Sequence, residues 1–257
     1  MKYSGINPIK VEGSSFDAVG YGYSKVVNLK IKNNRSNPIL VAKINPFGVK
    51  EFKDRIKANI FGRVEEKQNL LSFYAKTSNP ATDGWLLGIS TIILGEDVWG
   101  PKSGFELGQV KNYKKIKTST KWDFKVKEGF ADFVYDIWLN KNKEGGCSKE
   151  DVEIMVWLDY NFEVPWKEIG NFKDFRVKYE KKTKDKHPHD LGNTFAFIPK
   201  NKNGKINFDY KEMIDFCSKY LKRDLKNNWI RSIYLGTEFS KNTEVKVDLL
   251  KANLFFE

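Results

Sequence analysis

The stretch "DVEIMVWLDY", residues 151–160, alternates with a period of two. Ile154, Val156 and Leu158 fall on one face of a strand, and Glu153, Met155 and Trp157 fall on the other. The first face belongs in a core. The second sets a carboxylate beside a thioether and an indole, where burying a charge is costly. The stretch "ADFVYDIWLN", residues 131–140, repeats the pattern. Phe133, Tyr135, Ile137 and Leu139 share one face, and Val134, Asp136 and Trp138 share the other. If the two strands lie side by side, Asp136 and Glu153 can meet. A third acid, Glu238 in "IYLGTEFS" (residues 233–240), shares its face with Tyr234 and Gly236. Gly236 leaves room there for a ligand to lie against the backbone.

Outward from these strands, most of the chain alternates in the same way between Gly, Asn, Asp and Pro turn signals. Residues 25–33, 38–48 and 69–78 read as strands, and "WLLGISTIILG" (85–95) as one buried on both faces. "KWDFKVKEG" (121–129) and "ADFVYDIWLN" read as a strand pair turning at "KEG". "FKDFRVKYEKK" (172–182) and "LGNTFAFIPK" (191–200) read as a hairpin with a long tip. Two strands close the chain, at 230–239 and 244–256. "GRVEEK" (62–67) and "GGCSKED" (145–151) read as turns. In "NFDYKEMIDFCSKYLKRDL" (207–225), Met213, Phe216, Cys217, Tyr220 and Leu221 recur at helical spacing. Asp209 and Glu212 form a capping-box pattern at its start. The expected fold is an all-β antiparallel sandwich, a jelly roll, with a concave cleft and one α-helix packed outside a sheet. One domain is expected over residues 1–257, with extra N-terminal strands accommodated in the first 80.

Composition narrows the partners. The chain has 257 residues and a net charge of +12, from 45 Lys and Arg against 33 Asp and Glu. The lysines are scattered and no Arg-rich arm is present, so the excess reads as a solvated surface rather than a nucleic-acid site. The densest cluster, "KYEKKTKDKHPHD" (178–190), also carries acids. Its His187, His189 and Asp190 lack a spaced fourth ligand and read as an exposed turn, so no metal is expected. Cys147 and Cys217 are too few for a disulfide framework; whether they pair stays open, although Cys217 reads as buried packing. The opening "MKYSGINPIK" has no apolar signal segment, and no run suits a membrane span, so no membrane partner is expected. Trp85, Trp99 and Trp122 read as packing. No phosphate loop, Ser-His-Asp order or cofactor motif is visible, and no cofactor is expected.

Two carboxylates beside aromatics suit glycoside hydrolysis. One must be protonated to donate to the departing oxygen, and the other ionised to attack or to activate water. Like charges in one site push one pKa up and keep a proton available. Sugar rings stack their C–H faces on Trp and Tyr, so Trp138, on the Asp136 face, and Tyr234 are candidate substrate contacts. The competing reading ties each acid to a buried Lys or Arg.

The ordered set "VYDIWLN", "VEIMVWL", a proline loop in "YNFEVPW" and "LGTEF" resembles glycoside hydrolase family 12, the endoglucanase and xyloglucanase family. The likeness is good from about residue 84 onward. It implies a jelly roll with one helix and retaining hydrolysis of β-1,4-glucans, with Glu153 as nucleophile and Glu238 as acid/base. Asp136 would then adjust the protonation of the nucleophile. It also implies Met155, Trp157 and Pro165 as cleft residues, and places Asn45 and Phe47 where the family carries an Asn and a sugar-stacking Trp. A monomer acting on β-glucan polysaccharide or oligosaccharide is expected. Secretion is usual in the family, although no signal segment is seen. A non-catalytic carbohydrate-binding jelly roll is the alternative, and a basic nucleic-acid-binding protein ranks last.

Overall fold

Alternating strands that each bury one apolar face need a second layer, and the chain provides it as two stacked sheets. The computed structural model describes residues 2–3, 15–18, 25–30, 39–45, 58–67, 70–78, 86–96, 106–145, 147–183, 192–240 and 242–257. The strands are β1 (Lys2–Tyr3), β2 (Ser15–Ala18), β3 (Lys25–Lys30), β4 (Ile39–Asn45), β5 (Ala58–Lys67), β6 (Leu70–Ser78), β7 (Leu86–Gly95) and β8 (Ile116–Glu128). They continue as β9 (Asp132–Asn140), β10 (Val152–Tyr160), β11 (Lys167–Phe172), β12 (Phe175–Lys182), β13 (Gly192–Pro199), β14 (Lys205–Asp209), β15 (Trp229–Ser240) and β16 (Glu244–Phe256). Helix α1 (Tyr210–Leu221) lies between β14 and β15.

Among the described residues, one sheet has seven strands in the order β14-β8-β16-β6-β5-β2, with β1 also paired to β16. The other has nine, ordered β11-β12-β13-β10-β9-β15-β7-β4-β3. Pairing is antiparallel throughout except for β10 and β13, which run parallel because the β11–β12 hairpin carries the chain across between them.

The core fills the gap between the sheets. Phe133, Tyr135, Ile137 and Leu139 of β9 and Ile154, Val156 and Leu158 of β10 face Phe73, Ile116, Trp122, Val245 and Val247 of the other sheet. Phe133 meets Phe73 and Trp122 at ring-centroid distances of 5.9 and 6.0 Å. The Tyr135 hydroxyl spans the layer to Thr120 Oγ1 at 2.9 Å, which satisfies two buried polar groups at once.

Four expectations are corrected. The strands β8 and β9 are not a hairpin: β8 pairs with β14 and β16, and β9 with β10 and β15, in opposite sheets. The "KEG" turn is an arch. Gly129 takes a positive φ of 74° there, and an added Cβ would fall 2.2 Å from Thr243 Oγ1. "GRVEEK" is strand, not turn; it belongs to β5, which pairs with β6 from Asn59↔Ser78 to Lys67↔Leu70. The helix does not sit outside a sheet. Tyr210, Met213, Ile214 and Cys217 join the main core, and Phe216 and Tyr220 touch rings on β11, β12 and β13. It extends the second layer beyond β14, over inner-face rings of the longer sheet. Asp209 caps it by accepting from Lys211 N at 2.9 Å, while Glu212 pairs with Lys173 rather than closing a capping box.

Candidate active site

The strands β10, β9 and β15 are consecutive neighbours, and their registers fix which side chains share the outer face of the nine-stranded sheet. Glu153 lies opposite Trp138 and Thr194, and Asp136 lies between Met155 and Tyr234. Val134 lies between Trp157 and Gly236. Glu238 follows two residues after Gly236, beside Asp132 of β9. Period-two alternation therefore carries Glu153, Asp136, Glu238 and Asp132 onto one face.

Glu153 is 7% exposed. Its Oε2 accepts from Lys182 Nζ and Thr194 Oγ1, each at 2.7 Å. Lys182 also sits 5.5 Å from the Trp138 ring centroid, which supports the cation a second time. The Asp136 carboxyl is nearly as buried. Its Oδ2 accepts from Trp138 Nε1 at 2.8 Å, and its Oδ1 meets no hydrogen-bond donor among the described residues. Burial holds Asp136 well above the ordinary carboxylate range, the charges of Glu153 and Glu238 add to the rise, and Trp138 and Lys182 oppose it. Asp136 thus feels both glutamates, one from each neighbouring strand.

Asp132 is wholly buried. Its Oδ1 accepts the backbone N–H of half-buried Glu238 at 3.1 Å. Burial first, then the charge of Glu238, raises Asp132 well above the carboxylate range. If every acid here were ionised, four carboxylates would crowd one sheet face beside the ammonium of Lys182. Keeping the two aspartates neutral removes most of that cost. The site can therefore hold protons and anionic carboxylates side by side, as acid–base chemistry needs.

Residues 95–254, which contain all four acids, match the sequence model of glycosyl hydrolase family 12. The chain belongs to glycosyl hydrolase family 12. Among solved structures, this glycoside hydrolase is similar to a family 12 xyloglucanase from Bacillus licheniformis, at 16% identity and a TM-score of 0.69, over 91% of this chain and all of the other. It is similar to endoglucanase 3 of Trichoderma harzianum, at 12% identity and a TM-score of 0.66, over 97% of this chain and all of the other. An endoglucanase from Rhodothermus marinus matches at 15% identity and a TM-score of 0.65, over 85% and 92% of the two chains. These likenesses show a shared jelly-roll fold. No curated protein sequence matches the chain. Membership of a hydrolase family sets the enzyme above the binding-module alternative.

The remaining expected residues of the hydrolase fall as follows. Trp138 and Tyr234 are buried and pack together with Ile93 and the half-buried Cys147. Met155 and Trp157 lie in a second outer-face cluster with Val134, Val164, Ala196 and Ile198. Trp157 is 1% exposed, with Tyr160 and Phe162 edge-on to its ring. Pro165 is exposed in the loop after β10, next to Val164, whose carbonyl accepts from Lys178. Asn45 is in register with Ile89, which lies opposite Glu238, so it shares the Glu238 row. Phe47, Trp85, Trp99, His187, His189 and Asp190 lie outside the described residues. Among the described residues, no group of His, Cys, Asp or Glu could hold a metal ion, and no helix is long and apolar enough to cross a membrane. Cys147 and Cys217 are not joined in a disulfide.

The space expected over Gly236 is filled. A Cβ there would fall 2.3 Å from Ser90 O and 2.6 Å from the Thr91 Cα, so the glycine admits β7 rather than a ligand. Lys182, Thr194 and Asp132 were not foreseen. Asp132 was within reach, since it alternates with Val134 and Asp136. Lys182 and Thr194 reach Glu153 only because β13 pairs with β10 and β12 pairs with β13, and the pattern of no single strand encodes that.

Proposed function

We propose that this glycoside hydrolase cleaves β-1,4-glucosidic bonds within glucan chains, with retention, through Glu153 and Glu238. The supporting observation is that acids from three adjacent strands share one sheet face, with Asp136 in the field of both glutamates. The names of the structural neighbours, xyloglucanase and endoglucanase, support a β-glucan substrate acted on internally.

Glu153, oriented by Lys182 and Thr194, attacks the anomeric carbon. The glycosidic C–O bond breaks as the proton of Glu238 passes to the departing oxygen. Water then attacks the same carbon, Glu238 takes its proton, and the ester to Glu153 is released. Retention needs the two carboxyls roughly 5–5.5 Å apart in the working complex. Neutral Asp136 beside Glu153 is suited to donate a hydrogen bond to the carboxylate before attack and as it re-forms. Trp138, Tyr234, Met155, Trp157, Asn45, Phe47 and Pro165 are the residues assigned to the sugar chain.

The test is a panel of soluble polysaccharides, namely carboxymethylcellulose, mixed-linkage glucan, xyloglucan and mannan, with product sizing and proton NMR of the first anomer released. Falling polymer size with early β-anomer is expected on at least one β-glucan. Early α-anomer would contradict retention. Monosaccharide release without loss of polymer length would contradict internal cleavage.

A further inference from the structure

The two aspartates of β9 are arranged alike, four residues apart on one face. Each has one carboxyl oxygen satisfied by an N–H: Asp136 Oδ2 by Trp138 Nε1, and Asp132 Oδ1 by Glu238 N. Each has its other oxygen buried with no donor among the described residues. Asp136 stands beside Glu153, and Asp132 beside Glu238. A fully buried carboxylate oxygen without a donor is costly, but the same oxygen bearing a proton becomes a donor itself. Glu238 is the acceptor at hand for Asp132 Oδ2. Among the described residues, Asp132 is faced from β15, β10 and its own strand. Glu238 comes from β15, and Tyr160 lies opposite on β10. Asp136 lies further along β9 itself. The nearby Lys202 stacks on the Tyr160 ring and pairs with Asp159 at 3.8 Å.

We propose that Asp132 is a positioning residue that stays neutral, donates from Oδ2 to the Glu238 carboxylate, and sets the alkaline end of the enzyme's working range. The inference rests on reading Glu238 as the acid/base. Both burial and the charge of Glu238 keep the proton on Asp132. When the pair loses its first proton, it settles with Asp132 neutral and Glu238 ionised, because Asp132 is the more buried of the two. In that state Glu238 cannot protonate a leaving oxygen, although it is ready to take a proton from water. A carboxylic acid is a stronger donor than an amide, so it favours this ionised state more than an asparagine would. The arrangement therefore assists the second chemical step and moves the first toward acidic pH.

The decisive comparison is kcat/KM against pH on a soluble β-glucan for the wild type, Asp132→Asn and Glu238→Gln. Asn keeps the acceptor for Glu238 N and a weaker donor toward its carboxylate. The alkaline limb of Asp132→Asn is expected to move up by about one pH unit, with the acid limb in place. Glu238→Gln should lose turnover at every pH. An unmoved or lowered alkaline limb, with Glu238→Gln inactive, overturns the role of Asp132 alone. A Glu238→Gln enzyme with wild-type turnover overturns the acid/base reading beneath it as well. If Asp132→Asn does not fold, infrared spectra of Asp136→Asn decide. A protonated-carboxyl band at neutral pH, displaced when Glu238→Gln is added, supports the pair, and absence of the band overturns it.

Discussion

Asp136 binds its proton more tightly in the fold than in the unfolded chain, and this has a consequence for stability. A carboxyl whose folded value is raised contributes stability that is present below the unfolded value, near 3.9, and is lost as pH rises through the raised value. Asp136→Asn removes that loss while keeping an acceptor for Trp138. Its melting temperature should exceed that of the wild type at neutral pH by a few degrees, and the margin should close toward about pH 4. Scanning calorimetry at the two pH values checks this; an equal or lower melting temperature at neutral pH would refute it. Activity should move the other way, with a lower rate and a displaced pH profile. Glu153→Gln should abolish turnover with the fold intact, as read by circular dichroism alongside a reducing-sugar assay. The acids themselves were legible because each breaks the apolar rule of its strand face beside Trp, Met or Tyr. Lys182 was not legible, since a lysine near the end of a lysine-rich strand looks like surface until its neighbours are known. The reading that tied each acid to a buried cation is met at Glu153, which pairs with Lys182; at Asp136, burial and the neighbouring glutamates favour the proton instead.

The elements show how far a period can be read. Alternation located β6, β7, β9, β10, β15 and β16 within a residue or two, because each buries a face. It could not say which strand pairs with which. A short Gly-containing link serves a hairpin and an arch equally well, so β8 and β9 read as partners although they stand in opposite sheets. What fixes the arch is a set of distant contacts: Ser240 N to Phe130 O at 2.8 Å, Phe130 N to Ser240 Oγ at 3.1 Å, and Ala131 N to Asn161 Oδ1 at 2.9 Å. The strand β11 was missed because "FKDF" reads as one run, whereas Lys173, with φ at 51°, turns the chain there. Two substitutions test the elements. Asp209→Ala removes the acceptor for both Lys211 N and Ile116 N, and should cost about 1–2 kcal/mol in urea unfolding. Gly236→Ala forces a methyl group into the β7 backbone, and should cost roughly 1–3 kcal/mol. Wild-type stability in either variant would show that the contact is slack.

At the scale of the molecule, the excess positive charge is spread over an outer surface where many lysines meet acids, as Lys125 meets Asp123, Lys127 meets Glu244 and Lys246 meets Asp248. Such exposed pairs add little stability. A neutral glucan gains nothing from them either, so kcat/KM should change less than about twofold between low and moderate salt, where phosphate-binding proteins lose affinity steeply. The architecture instead bears on the chemistry through one strand. β9 runs between β10 and β15 and presents a neutral acid toward a glutamate on each side. The most direct measurement of the central claim is trapping with a 2-deoxy-2-fluoro β-cellobioside that bears a good leaving group, followed by mass spectrometry of the peptides. One label per chain on the peptide carrying Glu153 is predicted. A label on Asp136 or Glu238, or no trapped species during full turnover with inverted product, would contradict it.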